Sequence, residues 1–91
     1  MKRIVVSEYT KEVRYLVGKE EMEKMVCCLI SLYKHIDGRY IFVGMVYTDD
    51  IKEAKWDGDA IESINGVTFA LNVYPMISES VYKYFMENED K

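Results

Sequence analysis

The sequence predicts an α+β fold: a mostly antiparallel sheet of about four or five strands with two helices, in the approximate order ββαβββα. Three observations carry that expectation. Short runs of β-branched and aromatic residues recur between turn signals. The segment Lys19 to Ile36 repeats its apolar residues at helical spacing. Asn65-Gly66 stands between two apolar runs, a strong short hairpin signal.

Taken in order, Lys2 to Val6 reads as a short strand and Glu12 to Val17 as a second, with Val13, Tyr15 and Val17 alternating against Arg14 and Leu16. Ser7 to Lys11 connects them, with a helix start capped by Ser7 as the weaker alternative. From Lys19 to Ile36 the residues Met22, Met25, Val26, Leu29, Leu32, Tyr33 and Ile36 fall on one helical stripe. Glu20, Glu21 and Glu23 sit where the helix dipole favours anions, and Asp37-Gly38 supplies a C-cap and turn.

Arg39 to Thr48 reads as a strand apolar on both faces, of the kind found mid-sheet and needing cover on each side. Gly44 inside it suggests a bulge or a close backbone approach. Asp49 to Lys55 is a loop or a single helical turn, with Thr48 as a possible cap. Asp59 to Ile64 and Val67 to Tyr74 flank the hairpin, and Pro75 is expected to stop the second arm. Ser78 or Ser80 then caps a last helix to about Asn88, with Ile77, Val81, Tyr84 and Phe85 inward. Glu87 to Lys91 is a frayed tail.

Residues 1–91 are one domain's worth of chain, without repeats or linkers. Only three apolar residues, Ile4 to Val6, follow Met1-Lys2-Arg3, too few for a signal peptide. No apolar run approaches the roughly 20 residues that span a bilayer, so no membrane partner is expected. The adjacent Cys27 and Cys28 make a poor disulfide pair, which excludes a disulfide scaffold and points to the cytoplasm.

Net charge is −4, and its placement is uneven. Residues 1–36 hold seven Lys/Arg against five acids, whereas 49–62 hold six acids against two lysines. With no basic face, direct nucleic-acid binding is not expected.

The chemistry-bearing constellations are weak. His35 and Cys28 share a face of the expected helix but lie about 10 Å apart along its axis, too far to share a metal. Asp57-Gly58-Asp59 with Glu62 resembles part of a calcium loop yet lacks the closing glutamate, so turn chemistry accounts for it. No nucleophile elbow, P-loop or dinucleotide glycine pattern is present. No catalytic residue, metal or cofactor is assigned.

The remaining signal is aromatic: eight tyrosines and one tryptophan, more than a chain of this length buries easily. Trp56 lies in the acidic segment, either folded back as a lid on the core or offered to a partner. Tyr82 and Met86 fall off the stripe of the last helix. The expected function is therefore a small acidic, non-catalytic protein-binding module, of the inhibitor or regulator type. Its partner surface would comprise Trp56, Asp49, Asp50, Asp57 and Asp59, with Tyr82 and Met86 second, and would suit a basic protein. The two-sided strand predicts a homodimer. The alternative is a small-molecule pocket, between sheet and helix or across a dimer interface, lined by tyrosines and Arg14 or Arg39. An enzyme using His35 or an acidic pair comes third.

Overall fold

The α+β class holds, on a larger sheet than expected: seven strands in place of four or five. The computed structural model describes residues 1–89. In chain order these form β1 (Lys2–Ser7), β2 (Glu12–Leu16), α1 (Lys19–Lys24), β3 (Leu29–Ile36) and β4 (Arg39–Tyr47). A 3-10 turn (Thr48–Asp50), β5 (Ala54–Asp57), β6 (Ala60–Ile64), β7 (Val67–Ile77) and α2 (Glu79–Glu89) follow. The helix now occupies Glu87 to Glu89, where a frayed tail was expected, and the rest of that tail lies outside the described residues.

The main path of the sheet runs β1-β2-β7-β3-β4, every pairing antiparallel, with β6 and then β5 added along β7. At its centre, β7 pairs with β6 through its first half and with β2 and β3 through its second. Pro75 therefore does not end the strand. Its carbonyl accepts a hydrogen bond from the Val17 amide at 2.9 Å. In an antiparallel ladder the amide and carbonyl of one residue face the same neighbour. Proline's missing donor thus faces the β2 side just beyond the last β2 pair, Leu16 with Met76.

The long helix expected over Lys19 to Ile36 is corrected to a single short helix and a strand. Only Lys19–Lys24 is helical, opened by Glu21, whose carboxylate accepts the Gly18 amide at 2.8 Å. Leu29–Ile36 pairs with β4 on one side and β7 on the other. Two-sided pairing satisfies the backbone more fully than a lone amphipathic helix, and tertiary context overrides the local period. Asp37-Gly38 is accordingly a hairpin turn, with both residues at positive φ (51° and 75°) as a type I′ turn requires. Asn65-Gly66 repeats that geometry (51° and 81°) between β6 and β7, as the sequence predicts. Gly58, at φ 61°, turns β5 into β6.

One face of the sheet is covered by α1, α2 and the β5–β6 hairpin. There Val17, Ile30, Ile61, Val73 and Ile77 are fully buried, with Met22, Met25, Leu32, Ile64 and Phe85 around them. Each fully buried aliphatic side chain contributes roughly 1.5–3 kcal/mol relative to exposure. Ser78 caps α2 by accepting the Val81 amide at 3.3 Å. The inward stripe of α2 differs from expectation: Tyr84 is 62% exposed, while Tyr82 stacks flat on Tyr15 with centroids 3.8 Å apart.

The other face curls. A second, smaller core of Ile4, Tyr33 and Met76 lies in the concavity, with Val6, Leu16, Tyr40 and Tyr74 packed against it. The curl carries the end of β1 towards the start of β4, although no ladder joins them. So β4 is an edge strand, not the mid-sheet strand expected. Its bulge falls at Val43, which is left unpaired between Leu32↔Gly44 and Tyr33↔Phe42, beside the glycine that signalled it.

Candidate functional site

Trp56 stands on β5, half-buried and packed against the main core. Its ring forms one wall of a cleft of about 260 Å³. Met22 and Met25, from α1 and the residue after it, and Ile51, after the 3-10 turn, supply the other apolar walls. The rim carries Lys19, Lys52, Glu23 and Glu53. Apolar walls follow from the local fold. The short helix turns Met22 inward, and the break after Lys24 leaves Met25 buried beneath the 3-10 turn.

That turn is held on two sides. Thr48 clamps Cys28 reciprocally: its amide donates to the Cys28 carbonyl at 2.9 Å, and its hydroxyl accepts the Cys28 amide at 3.0 Å. The Asp49 carboxylate accepts the Cys27 amide at 2.7 Å. From the opposite side Asn65 acts as a hub. Its Oδ1 accepts the Lys52 and Glu53 amides at 2.7 and 3.0 Å, and its Nδ2 donates to the Asp50 carbonyl at 2.8 Å. The lip of the cleft is thus fixed by the same residue that turns the β6–β7 hairpin.

The acids of the expected partner surface do not form one patch. Asp49 and Asp50 stand in the 3-10 turn between Thr48 and Ile51, which line the cleft, and do not line it themselves. Asp57 neighbours Trp56 on β5, where successive side chains point to opposite faces, and its carboxylate accepts Asn72 Nδ2 at 3.0 Å. Asp59 is exposed in the tight turn after it. On α2, Tyr82 is occupied by its stack on Tyr15, and Met86 is exposed at a distance in sequence from all of these. Sequence reasoning missed Met22, Met25 and Ile51, because Met22 and Met25 were counted into a longer helical stripe.

Arg14, Tyr33 and Tyr40 lie together in the concave face, not between sheet and helix where the pocket alternative places them. With Glu12, Ser31, Phe42 and others they line a cleft of about 420 Å³. It opens on the sheet's own concavity, away from both helices. Arg39 lines the adjoining gap between β1 and β4. Arg14 pairs with Glu12 at 2.6 Å and donates to its neighbour's carbonyl, Val13, at 2.7 Å, while its buried Nε finds no acceptor among the described residues. Burial pushes the Tyr33 hydroxyl above its ordinary pKa against the opposing pull of Arg14. Burial does the same to Tyr40, reinforced by Tyr74.

His35 lies flat on Tyr40, centroids 4.3 Å apart, and edge-on to Tyr74. The strand corrects its relation to Cys28: seven extended residues separate them by roughly 23 Å, not the 10 Å of a helix. Burial, then the neighbouring Cys27, raises the Cys28 thiol pKa. Among the described residues no three or more His, Cys, Asp or Glu side chains gather as a metal site would need, and no helix is long and apolar enough to cross a membrane.

Neither the protein-family models, nor the curated proteins, nor the solved structures contain a match to this chain.

Proposed function

We infer that this protein is a non-catalytic protein-binding module that receives one apolar anchor side chain of its partner in the Trp56 cleft. The observation carrying this reading is the size and lining of that cleft. At about 260 Å³ it falls below the roughly 300–1,000 Å³ usual for small-molecule pockets, and beneath a mostly polar opening Trp56, Met22, Met25 and Ile51 form an apolar floor that suits a single leucine, methionine or phenylalanine. Its surroundings select the anchor's neighbours. On the rim Glu23 and Glu53 balance Lys19 and Lys52, and the excess acid comes from Asp49 and Asp50, exposed in the adjoining 3-10 turn, so a basic residue on that side of the anchor is favoured electrostatically. An inhibitor or regulator would act this way, by occupying a basic surface of its target.

Trp56 is the only tryptophan, so its fluorescence reports the cleft directly. The probes are three capped tripeptides: Lys-Leu-Lys, Glu-Leu-Glu and Lys-Gly-Lys. Lys-Leu-Lys should shift the emission saturably, Lys-Gly-Lys should not, and Glu-Leu-Glu should bind more weakly. Equal responses to all three, or none, would remove the reading.

A small-molecule site is the second reading, favoured by the larger concave cleft and the unpartnered Nε of Arg14. Metabolite pools that raise the melting temperature of the native protein, and fail to do so for Arg14→Lys, would support it.

A further inference from the structure

The sheet has three outer strands, and they are guarded differently. β1 exposes Lys2 and Arg3, and β5 exposes Lys55 and Asp57, the charges by which natural sheets keep free edges from pairing. β4 has no such guard. From Tyr40 to Thr48 there is neither a charge nor a proline. Phe42 is 51% exposed, Met45 58% and Tyr47 49%, and Leu29 of β3 borders them. The gap shared with β1 takes in Gly38 to Ile41, and Phe42 and Met45 line the concave cleft with Val6 and Ser7, but no strand pairs with the outer edge, which is free of ladder partners from Phe42 to Tyr47. That free length is about 20 Å of strand.

We propose that a second copy of this chain covers this edge, pairing β4 antiparallel to β4 across a two-fold axis near Met45. The occupant follows from charge order along the hairpin. β4 begins at Arg39, opposite Ile36, has Lys34 of β3 opposite Ile41, and leads out into Asp49 and Asp50. Antiparallel pairing brings the acidic end of each copy to the basic end of the other, while the uncharged middle meets its own like. A two-fold contact needs this self-complementarity, since each patch must fit itself. Apolar side chains of both copies then line the seam, and the sheet continues through the dimer. With the axis at Met45, the bulge at Val43 of each copy faces Tyr47 of the other, so the bulges lie at the two ends of the seam and Gly44 to Val46 between them are regular. The axis at Met45 lies on another strand from Trp56, but Asp49 and Asp50 adjoin both the cleft and the seam, so Met45→Lys, which touches neither acid, is the variant that separates the two.

Sedimentation equilibrium over a range of concentrations tests it. The native chain should approach twice its 10.7 kDa mass. Met45→Lys should be monomeric with an unchanged circular dichroism spectrum, because Met45 is exposed and absent from both cores. Arg39→Glu and Asp50→Lys should each weaken the dimer at least tenfold, and mixing the two should restore a heterodimer, since both ends then carry opposite charges again. A native chain monomeric at about millimolar concentration overturns the proposal, as does a dimer indifferent to Met45→Lys. Failure of the mixture to recover overturns the antiparallel arrangement. The tripeptide response of Trp56 should persist in the Met45→Lys monomer, so the two readings fail separately.

Discussion

Two adjacent strands of this sheet meet opposite fates. In β3, Ile30 and Leu32 are buried under α1, α2 and the β5–β6 hairpin. In β4, its hairpin partner, Ile41, Phe42, Val43 and Met45 are exposed. Composition does not explain it, since β3 carries Ser31, Lys34 and His35 while β4 has no charge after Arg39. Their neighbours do: β3 has a strand on each side, whereas β4 has one, and of the covering helices only α2 comes near it, across a gap lined by Leu29, Tyr47, Val81 and Tyr84. Burial here is set by distant segments, so stability concentrates on the covered face and adhesive surface collects at the edge.

The largest effect should come from cutting into the covered face. Ile61, fully buried between β5 and β7, should lose about 2–5 kcal/mol as Ile61→Ala, measured by urea denaturation. The same truncation at the rim, Met45→Ala, should cost under about 0.5 kcal/mol when measured on monomer. Equal losses would erase the contrast between the two regions. Next in size is Asn65→Ala. It removes three side-chain hydrogen bonds to the 50–53 segment and places a residue ill-suited to φ 51° in the turn. These groups are exposed, so the loss should be about 2 kcal/mol. The Trp56 cleft should loosen with it, visible as a red-shifted emission.

Alkaline pH should act through the concave face and through Cys28, whose raised thiol pKa also costs stability once the unfolded thiol ionises. Tyr33 and Tyr40 are held above the ordinary tyrosine value by burial. Below about pH 10 both phenols are neutral in folded and unfolded chains and their contribution is fully present. Above it the unfolded chain ionises first, so stability falls as pH rises through the folded values. Urea midpoints near pH 8 and pH 11 should therefore differ by less in Tyr33→Phe than in the native protein. An unchanged difference would mean that Tyr33 titrates freely.

How much of this was legible beforehand depends on whether a feature is local. The Asn65-Gly66 turn, the bulge beside Gly44 and the Ser78 cap are written in two to four adjacent residues, and the sequence shows them. The identity of residues 29–36 is not local. Leu29, Leu32, Tyr33 and Ile36 satisfy a helical period, and the strand is imposed by β4 and β7 on either side. One signal was misassigned: Asp37-Gly38 between two apolar runs of similar length is a hairpin mark, read instead as a helix cap. The proposed site divides in the same way. Trp56 and its acidic context are visible in sequence, but Met22, Met25 and Ile51 meet it only because the chain breaks after Lys24.

That break carries the smallest and most local prediction. Cys27 sits at φ 55°, a left-handed conformation that glycine adopts without penalty and a cysteine does not. Its side chain is exposed, and its amide is anchored by Asp49, a bond glycine keeps. Cys27→Gly should relieve about 1 kcal/mol of backbone strain. The freer unfolded chain should take back about 0.4–1 kcal/mol, leaving the denaturation midpoint almost unmoved. Cys27→Val, branched at Cβ, should instead destabilise by at least about 1 kcal/mol. If valine were tolerated as well as glycine, residues 25–28 would not be a fixed turn, and the helix of the sequence reading would deserve to be extended through them. Thiol labelling gives the companion measurement on the native chain: Cys27 should react fast, and Cys28, buried and with its thiol pKa raised, only slowly.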